Sequence, residues 1–188
     1  EEKEINNPKI CRIYKPFYIL PIASVVNGDT RNAITGERLR GDAFMAPMAH
    51  ILVVDDNEMN LQVIEYLLER YQIKVTKATS GREALEKIET MNFDLVFMDH
   101  MMPGMDGVET LHRIRDKVGA YYRKVPFIAL TANAIAGARE KFLAEGFTDF
   151  LEKPIEVSVL ARVLRRNLPQ EKLSSVSDLA SEARMEAD

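Results

Sequence analysis

The stretch Asp94–Gly107 reads Asp-Leu-Val-Phe-Met-Asp-His-Met-Met-Pro-Gly-Met-Asp-Gly, and it decides the fold. Its residues 95–98 form a short, wholly apolar run, which is typical of a strand buried on both faces of a parallel sheet. The run ends at Asp99, and Pro103-Gly104 then predicts a turn that leads into a helix. The sequence therefore places an acid, Asp99, at the carboxyl edge of a buried strand, where open α/β folds bind their ligands.

The segments on either side of this stretch alternate between strands and helices. Short apolar runs predict five strands, and apolar residues at helical spacing predict five helices. The predicted strands are 51–54, 73–78, 95–98, 125–130 and 148–151, and the predicted helices are 59–71, 81–91, 108–118, 133–145 and 157–167. Such alternation requires a parallel sheet with helices on both of its faces. We therefore predict a three-layer α/β domain over residues 48–169.

Length and composition limit the class of protein. The 188 residues suffice for one sizeable domain with extensions, and 46% hydrophobic with 29% charged residues is typical of a globular protein. A formal net charge of −4 argues against direct binding of nucleic acid. No apolar run approaches the ~18 residues of a membrane span, so we expect no membrane contact by this chain. The single cysteine, Cys11, excludes an internal disulfide and favours a cytoplasmic location.

Polar side chains follow four of the predicted strands. Asp55 and Asp56 follow the first strand, Asp99 ends the third, Thr131 follows the fourth, and Lys153 follows the fifth. Taken singly, each has a simpler interpretation, because an acidic pair is usually a turn, a threonine a helix cap, and a lysine before proline an exposed residue. The carboxyl ends of parallel strands meet at one edge of a sheet, however, so we expect all five side chains to converge there.

This set of side chains has the chemistry of phosphoryl transfer. Carboxylates that lie close together repel one another and need a cation, and hard oxygen ligands select Mg2+. With its charge balanced, Asp99 can remain ionised and attack an electrophile, as carboxylates do in enzymes that form aspartyl phosphates. Phosphoryl transfer mainly requires positioning and charge neutralisation, which Lys153 and the Thr131 hydroxyl can supply. The residues therefore predict a magnesium-dependent phosphoacceptor site.

Four motifs carry a family resemblance. They are Val-Val-Asp-Asp-Asn at 53–57, Phe-Met-Asp-His-Met-Met-Pro-Gly-Met-Asp-Gly at 97–107, Ala-Leu-Thr-Ala-Asn-Ala at 129–134 and Asp-Phe-Leu-Glu-Lys-Pro at 149–154. Together they resemble the receiver domain of two-component signalling, the module of response regulators and hybrid histidine kinases, from His50 to Pro169. The resemblance implies a flavodoxin-like, doubly wound α/β fold whose five-stranded parallel sheet has the order 2-1-3-4-5.

The resemblance also implies a role for each acid at this edge. Asp99 would be the phosphoacceptor and would also contribute to the metal site. Asp56 would be a direct Mg2+ ligand, and Asp55 would help to hold the metal largely through water. The backbone carbonyl of Met101 would complete the set of protein ligands.

The remaining site residues are assigned in the same way. Thr131 and Phe150 would form the switch pair, and Lys153 would be the cation that binds the phosphoryl group.

The implied partner is a histidine kinase or a histidine phosphotransfer domain. A homodimer would form through the face made by the fourth helix, the last strand and the last helix. The chain itself would be a phosphoacceptor that catalyses its own phosphotransfer, within a parent that is a histidine kinase.

The first 47 residues differ from the regular pattern that follows. Lys15-Pro16 and the apolar residues around it match Lys153-Pro154 and its neighbours at a constant offset of 138 positions. This match predicts that residues 1–28 are the remnant of a preceding receiver-like unit, and the alternative is a chance Lys-Pro before an amphipathic helix. Residues 29–47 are predicted to be a linker, and residues 170–188 are predicted to be a C-terminal tail or linker. Since the chain starts without methionine, we expect it to be a piece of a longer protein. That parent protein would be either free in the cytoplasm or anchored to a membrane. A hybrid histidine kinase is favoured over a stand-alone response regulator.

Two other functions are alternatives at this point. A haloacid-dehalogenase-type phosphatase also uses an aspartate at a strand end with magnesium. Its Asp-x-Asp motif is absent, because Asp99 is followed by His100-Met101. A flavodoxin-like module for a nucleotide or flavin would need a Gly-rich loop after a strand, and the sequence has none at these positions.

Overall fold

A computed structural model describes residues 44–117, 121–132 and 138–175 of the chain. Within them lie a five-stranded parallel sheet, a two-stranded antiparallel ribbon, five α-helices and one short 3-10 helix. None of the helices in this part of the chain is both long and apolar enough to cross a bilayer. The predicted remnant at 1–28, the predicted linker up to residue 43 and the predicted tail from residue 176 lie outside the described residues.

The helices and strands follow one another in the predicted alternation. The strands are β1 (Phe44–Met45), β2 (His50–Val54), β3 (Lys74–Ala78), β4 (Leu95–Asp99), β5 (Phe127–Thr131), β6 (Asp149–Glu152) and β7 (Ser174–Ser175). The helices are α1 (Glu58–Glu69), α2 (Gly81–Thr90), α3 (Gly107–Lys117), α4 (Ala138–Ala144) and α5 (Val157–Asn167), and the 3-10 helix is Gln170–Lys172. Helix α1 ends two residues before its predicted end, and Gln72 follows with a left-handed φ of 56°.

The parallel strands lie in the order β3-β2-β4-β5-β6, which is the predicted order 2-1-3-4-5 when only the strands of this sheet are counted. Val54 pairs with Ala78 on one side and with Met98 on the other, and Asp99 pairs with Leu130. The carboxyl ends of the central strands therefore form one common edge. Strands β4 and β5 are buried throughout, as expected for a sheet that is covered on both faces. The predicted flavodoxin-like fold is confirmed.

Alternate residues of each central strand point into two separate apolar layers. In β4, Leu95 and Phe97 pack with the buried faces of α1 and α5, whereas Val96 and Met98 pack with α2, α3 and α4. This two-residue period is the geometry of a pleated strand. Burying one such side chain contributes roughly 1.5–3 kcal/mol to the stability of the fold. The two apolar layers together therefore fix the positions of the central strands and of their carboxyl ends.

Two short strands, one before and one after the parallel strands in the chain, lie at the amino edge of the sheet. Strand β1 pairs antiparallel with β7, and the Ala46 N–H donates to the Tyr71 carbonyl oxygen at 2.8 Å. The Phe44 ring stacks on Tyr71 with centroids 4.8 Å apart, and the Arg165 guanidinium lies 5.0 Å from the centre of the Phe44 ring. The sequence assigned residues 44–46 to a linker, but Phe44 and Ala46 are buried against the domain.

An ion pair anchors the segment after α5 to the same edge. The Lys172 ammonium lies 2.7 and 2.8 Å from the two carboxylate oxygens of Asp94, and the Asp94 side chain is only 9% exposed. The same carboxylate accepts the His50 N–H at 2.8 Å, at the start of β2. Residues 44–46 together with 170–175 are called the basal clasp below.

Gly107 provides a test of how tightly α3 is packed against the end of β4. A Cβ atom at this position would lie 2.3 Å from the Asp99 carbonyl oxygen and 2.8 Å from the His100 Cα. Because these neighbours are backbone atoms, we expect Gly107→Ala to lower the free energy of unfolding by about 1–3 kcal/mol. Urea denaturation would measure the change.

The matched control is Gly104, where the conformation rather than the space is restrictive. Its φ is 79° and a Cβ would meet nothing within 4 Å, so Gly104→Asn should be tolerated because asparagine adopts this conformation readily. Gly107→Asn should be at least as destabilising as Gly107→Ala. A Gly107→Ala protein as stable as the wild type would show that α3 can move away from β4.

Candidate functional site

Three acids meet at the carboxyl edge of the sheet. Asp55 directly follows β2, Asp56 follows it, and Asp99 is the last residue of β4. One carboxylate oxygen from each lies within 4.8 Å of the others. Asp55 is fully buried, Asp99 is 7% exposed and Asp56 is exposed. The predicted convergence of these acids is thus present in the structure.

The Lys153 ammonium lies between the two buried acids. Its Nζ donates to Asp55 Oδ2 at 2.6 Å and to Asp99 Oδ2 at 2.8 Å. Burial lowers the pKa of Lys153, but the hydrogen bonds and charges of Asp55 and Asp99 outweigh this effect and raise the pKa above 10.5. The Lys153 backbone N–H donates to the Thr131 carbonyl oxygen at 2.7 Å, and the peptide bond to Pro154 is cis. The lysine therefore neutralises part of the charge that the strands bring together.

The other oxygen of Asp99 contacts the loop that follows β4. The Met101 N–H donates to Asp99 Oδ1 at 3.1 Å, so the Met101 backbone lies beside the acids. The Met101 residue as a whole is 70% exposed to solvent. The His100 ring lies near the same oxygen, with Nδ1 3.8 Å from Asp99 Oδ1 and 2.9 Å from the Leu130 carbonyl oxygen, and it packs edge-on against Phe142 of α4.

Asp55 is oriented by Asn57 and Asn60, two residues to which the sequence analysis assigned no role. The Asn57 N–H donates to Asp55 Oδ1 at 2.9 Å, and the Asn60 side-chain amide donates to the same oxygen at 3.0 Å. The Asn57 side chain also caps α1 by accepting the Met59 N–H at 2.9 Å. The signal available in the sequence was Asn-x-x-Asn directly after the acidic pair.

The two residues of the predicted switch pair lie on adjacent strands. Thr131 ends β5 and is 1% exposed, whereas Phe150 on β6 is half-buried and pairs with Ala129. The Phe150 ring lies 6.2 Å from that of Phe142 in a stacked arrangement. The Phe142 ring in turn lies 5.8 Å from Phe147, so Phe150 belongs to an aromatic cluster that involves α4.

The acid cluster fits a hard divalent cation. Every ligand atom that Asp55, Asp56 and Asp99 offer is a carboxylate oxygen, which is the donor that Mg2+ prefers. In formal charges, the three carboxylates and the Lys153 ammonium sum to −2, which a divalent ion balances. The residues present therefore fit the metal that the sequence predicts.

Comparison with known proteins assigns the family. Residues 51–165 match the family model of the response regulator receiver domain. The chain belongs to the receiver domain family. The resemblance identified from the four motifs is thereby confirmed, and the phosphatase and the flavodoxin-like nucleotide module are set aside.

The similar proteins include receivers of larger signalling proteins. The receiver is 41% identical over 128 residues to the signal transduction histidine-protein kinase BarA of Shigella flexneri, a match that covers 66% of this chain and 13% of BarA. The chain thus corresponds to a small part of that relative.

Two solved structures have the same fold. The receiver domain of the sensor histidine kinase PA1611 of Pseudomonas aeruginosa has a TM-score of 0.57 and 39% identity, covering 63% of this chain and 96% of that one. It was solved with a magnesium ion coordinated in its active site cleft. The Saccharomyces cerevisiae receiver domain of Ssk1, solved with the histidine phosphotransfer protein Ypd1, has a TM-score of 0.56 and 27% identity, covering 63% and 88%.

Removing the Lys153 ammonium should destabilise the receiver in the absence of metal. Asp55 and Asp99 would keep their buried positions without a counter-charge, and removing one partner of a buried ion pair costs roughly 3–5 kcal/mol. We expect Lys153→Met to lower the free energy of unfolding in EDTA by this amount, measured by urea denaturation. The exposed Lys124 supplies the control, since Lys124→Met should change the stability little.

The pH dependence of this difference has a definite sign. The pKa of Lys153 is raised in the folded protein, so its stabilising contribution is complete below the ordinary value of 10.5. The contribution is lost as the pH rises through the folded value. The advantage of the wild type over Lys153→Met should therefore be constant near neutral pH and should shrink above pH 10.5. A difference that grew with alkaline pH would contradict the assignment.

Proposed function

We propose that this receiver accepts a phosphoryl group onto Asp99 from the phosphohistidine of a histidine kinase or a histidine phosphotransfer domain. The observation that carries the proposal is the Asp99 carboxylate, which lies at a strand end between the Lys153 ammonium and the Met101 N–H. In the transfer, an Asp99 oxygen forms a bond to phosphorus as the P–N bond of the donor breaks. The electron pair of that bond stays on the imidazole nitrogen.

The neighbouring residues would bind the phosphoryl oxygens and balance their negative charge. Lys153 already contacts Asp99 Oδ2, so its ammonium is within reach of a phosphoryl oxygen attached to that carboxylate. The Thr131 hydroxyl would hydrogen-bond a second phosphoryl oxygen. Asp55, Asp56, Asp99 and the Met101 carbonyl would hold Mg2+, which when bound neutralises the charge shared by the carboxylates and the phosphoryl group.

The parent protein in this proposal is a hybrid histidine kinase that carries the receiver on the cytoplasmic side. The support is the match to BarA, a histidine kinase in which the corresponding segment makes up 13% of the length. The Ypd1–Ssk1 complex supports a histidine phosphotransfer protein as the class of partner. Residues 1–28 would then be the end of a preceding receiver-like unit.

The acceptor assignment predicts which substitutions abolish labelling. With acetyl phosphate as donor and Mg2+ present, the wild type should form an acyl phosphate that hydroxylamine cleaves. Asp99→Asn should form none, because the amide oxygen is a poor nucleophile. Asp56→Asn should reduce the rate at least tenfold at limiting Mg2+, because it removes a proposed metal ligand. Phos-tag electrophoresis and intact mass would measure both.

The control for these variants is Asp116→Asn, which makes the same chemical change at an exposed position on α3. It should be labelled like the wild type. Chelation with EDTA should stop labelling in the wild type and in the control alike. Undiminished labelling of Asp99→Asn would place the acceptor elsewhere.

The proposed output is a change at the face made by α4, β6 and α5. A cavity of about 490 Å³ lies on this face, and its lining includes Phe150 together with Arg139, Arg162 and Arg166. The lining also includes the acids Asp149, Glu152 and Glu156. A surface with both charge signs can be self-complementary, which is what a two-fold homodimer requires.

The Thr131 hydroxyl should couple phosphorylation to this face. Once it moves to the phosphoryl oxygen, Phe150 can turn inward and alter the packing against α4. We expect Thr131→Ala to accept phosphate but to lose the phosphorylation-dependent change in mass, measured by light scattering after size exclusion. Thr131→Ser keeps the hydroxyl and should keep the response. If the alanine variant responded like the wild type, the coupling would not run through Thr131.

A further inference from the structure

The two oxygens of Asp55 have different partners, and this difference determines which one faces the site. Oδ2 accepts from Lys153 at 2.6 Å on the side of Asp99. Oδ1 accepts from the Asn57 N–H at 2.9 Å and from the Asn60 side-chain amide at 3.0 Å. With two donors on Oδ1, the carboxylate is fixed with Oδ2 directed towards Lys153 and Asp99.

Of the two donors to Oδ1, Asn60 is the one that acts through its side chain. The Asn57 N–H is a backbone group that every residue except proline would provide at that position. Asn60 is half-buried in the first turn of α1, three residues after the Asn57 cap. Its amide therefore connects the fully buried Asp55 to a helix that the apolar core holds in place.

We propose that Asn60 is a positioning residue for the metal site, in that its amide restricts Asp55 to the rotamer that binds the cation. This inference rests on the proposed magnesium-dependent function. Without the Asn60 donor, Oδ1 retains a single hydrogen bond and the carboxylate gains rotational freedom. Binding the cation must then also fix the carboxylate, so the affinity falls. Groups that orient metal ligands typically change metal affinity by 10- to 100-fold.

The test is Asn60→Leu, which keeps the approximate size of the side chain and removes its donor. We expect the dissociation constant for Mg2+ of the unphosphorylated protein to rise about tenfold, measured from amide NMR shifts during titration with Mg2+ alone. The Mg2+ concentration that half-saturates labelling by acetyl phosphate should rise by the same factor. The labelling rate at saturating Mg2+ should stay within about twofold of the wild type, because Asn60 does not touch Asp99 or Lys153.

The matched control is Gln62→Leu, which makes the same amide-to-leucine change at an exposed position of α1. It should leave the Mg2+ affinity unchanged. A loss of affinity in Asn60→Leu alone would then come from the missing hydrogen bond to Asp55 and not from placing a leucine on α1. If Asn60→Leu does not fold, Asn60→Ala removes the same donor without added bulk, and its Mg2+ titration decides the matter.

Two results would overturn the inference. One is an unchanged Mg2+ dissociation constant in a folded Asn60 variant. The other is a reduced rate at saturating Mg2+ with unchanged half-saturation, which would place Asn60 in the transfer step. Failure of the proposed function is distinguishable, because it would appear as labelling of Asp99→Asn, whereas the NMR titration measures metal binding without any phosphoryl donor.

Discussion

The contact of one ammonium with two buried carboxylates is the constraint on which the receiver depends. The apolar strands β2 and β4 are buried side by side, and their parallel pairing places Asp55 and Asp99 at the same edge. Two such acids in a poorly solvated position would repel one another, and a buried charge without a partner is costly. Lys153, brought in from the end of β6, offsets that cost with two short hydrogen bonds. The strand pairing that forms the core therefore also brings the acid cluster together.

Much of this arrangement follows from the sequence because it depends on simple periodicities. Apolar runs such as 95–98 identify the central strands, and parallel strands place their carboxyl ends at one edge. These two rules suffice to bring Asp55, Asp99 and Lys153 together. The rules do not say which carboxylate oxygen meets which donor, since that depends on side-chain rotamers. For this reason the hydrogen bond from the Asn60 amide to Asp55 is visible only in the structure.

The short strands of the basal clasp were also not predictable from the sequence. A strand of two residues has no measurable alternation, and the sequence around Phe44 is rich in residues that are typical of linkers. What holds Phe44 is tertiary contact, through the Tyr71 ring and the Arg165 guanidinium. The Lys172–Asp94 pair similarly joins residues 78 positions apart. Local patterns do not contain such contacts.

The basal clasp has a consequence for where the described domain begins and ends. Phe44 and Ser175 are paired across an antiparallel ribbon, so their Cα atoms are roughly 5 Å apart although the whole fold lies between them in the chain. Residues 44–175 therefore begin and end at nearly the same point, so they add almost no end-to-end length to the polypeptide. The ribbon of β1 and β7 lies at the amino edge of the sheet, whereas the acid cluster lies at the opposite, carboxyl edge. A small rotation of the domain about this ribbon would therefore displace the acids while Phe44 and Ser175 stay nearly where they are.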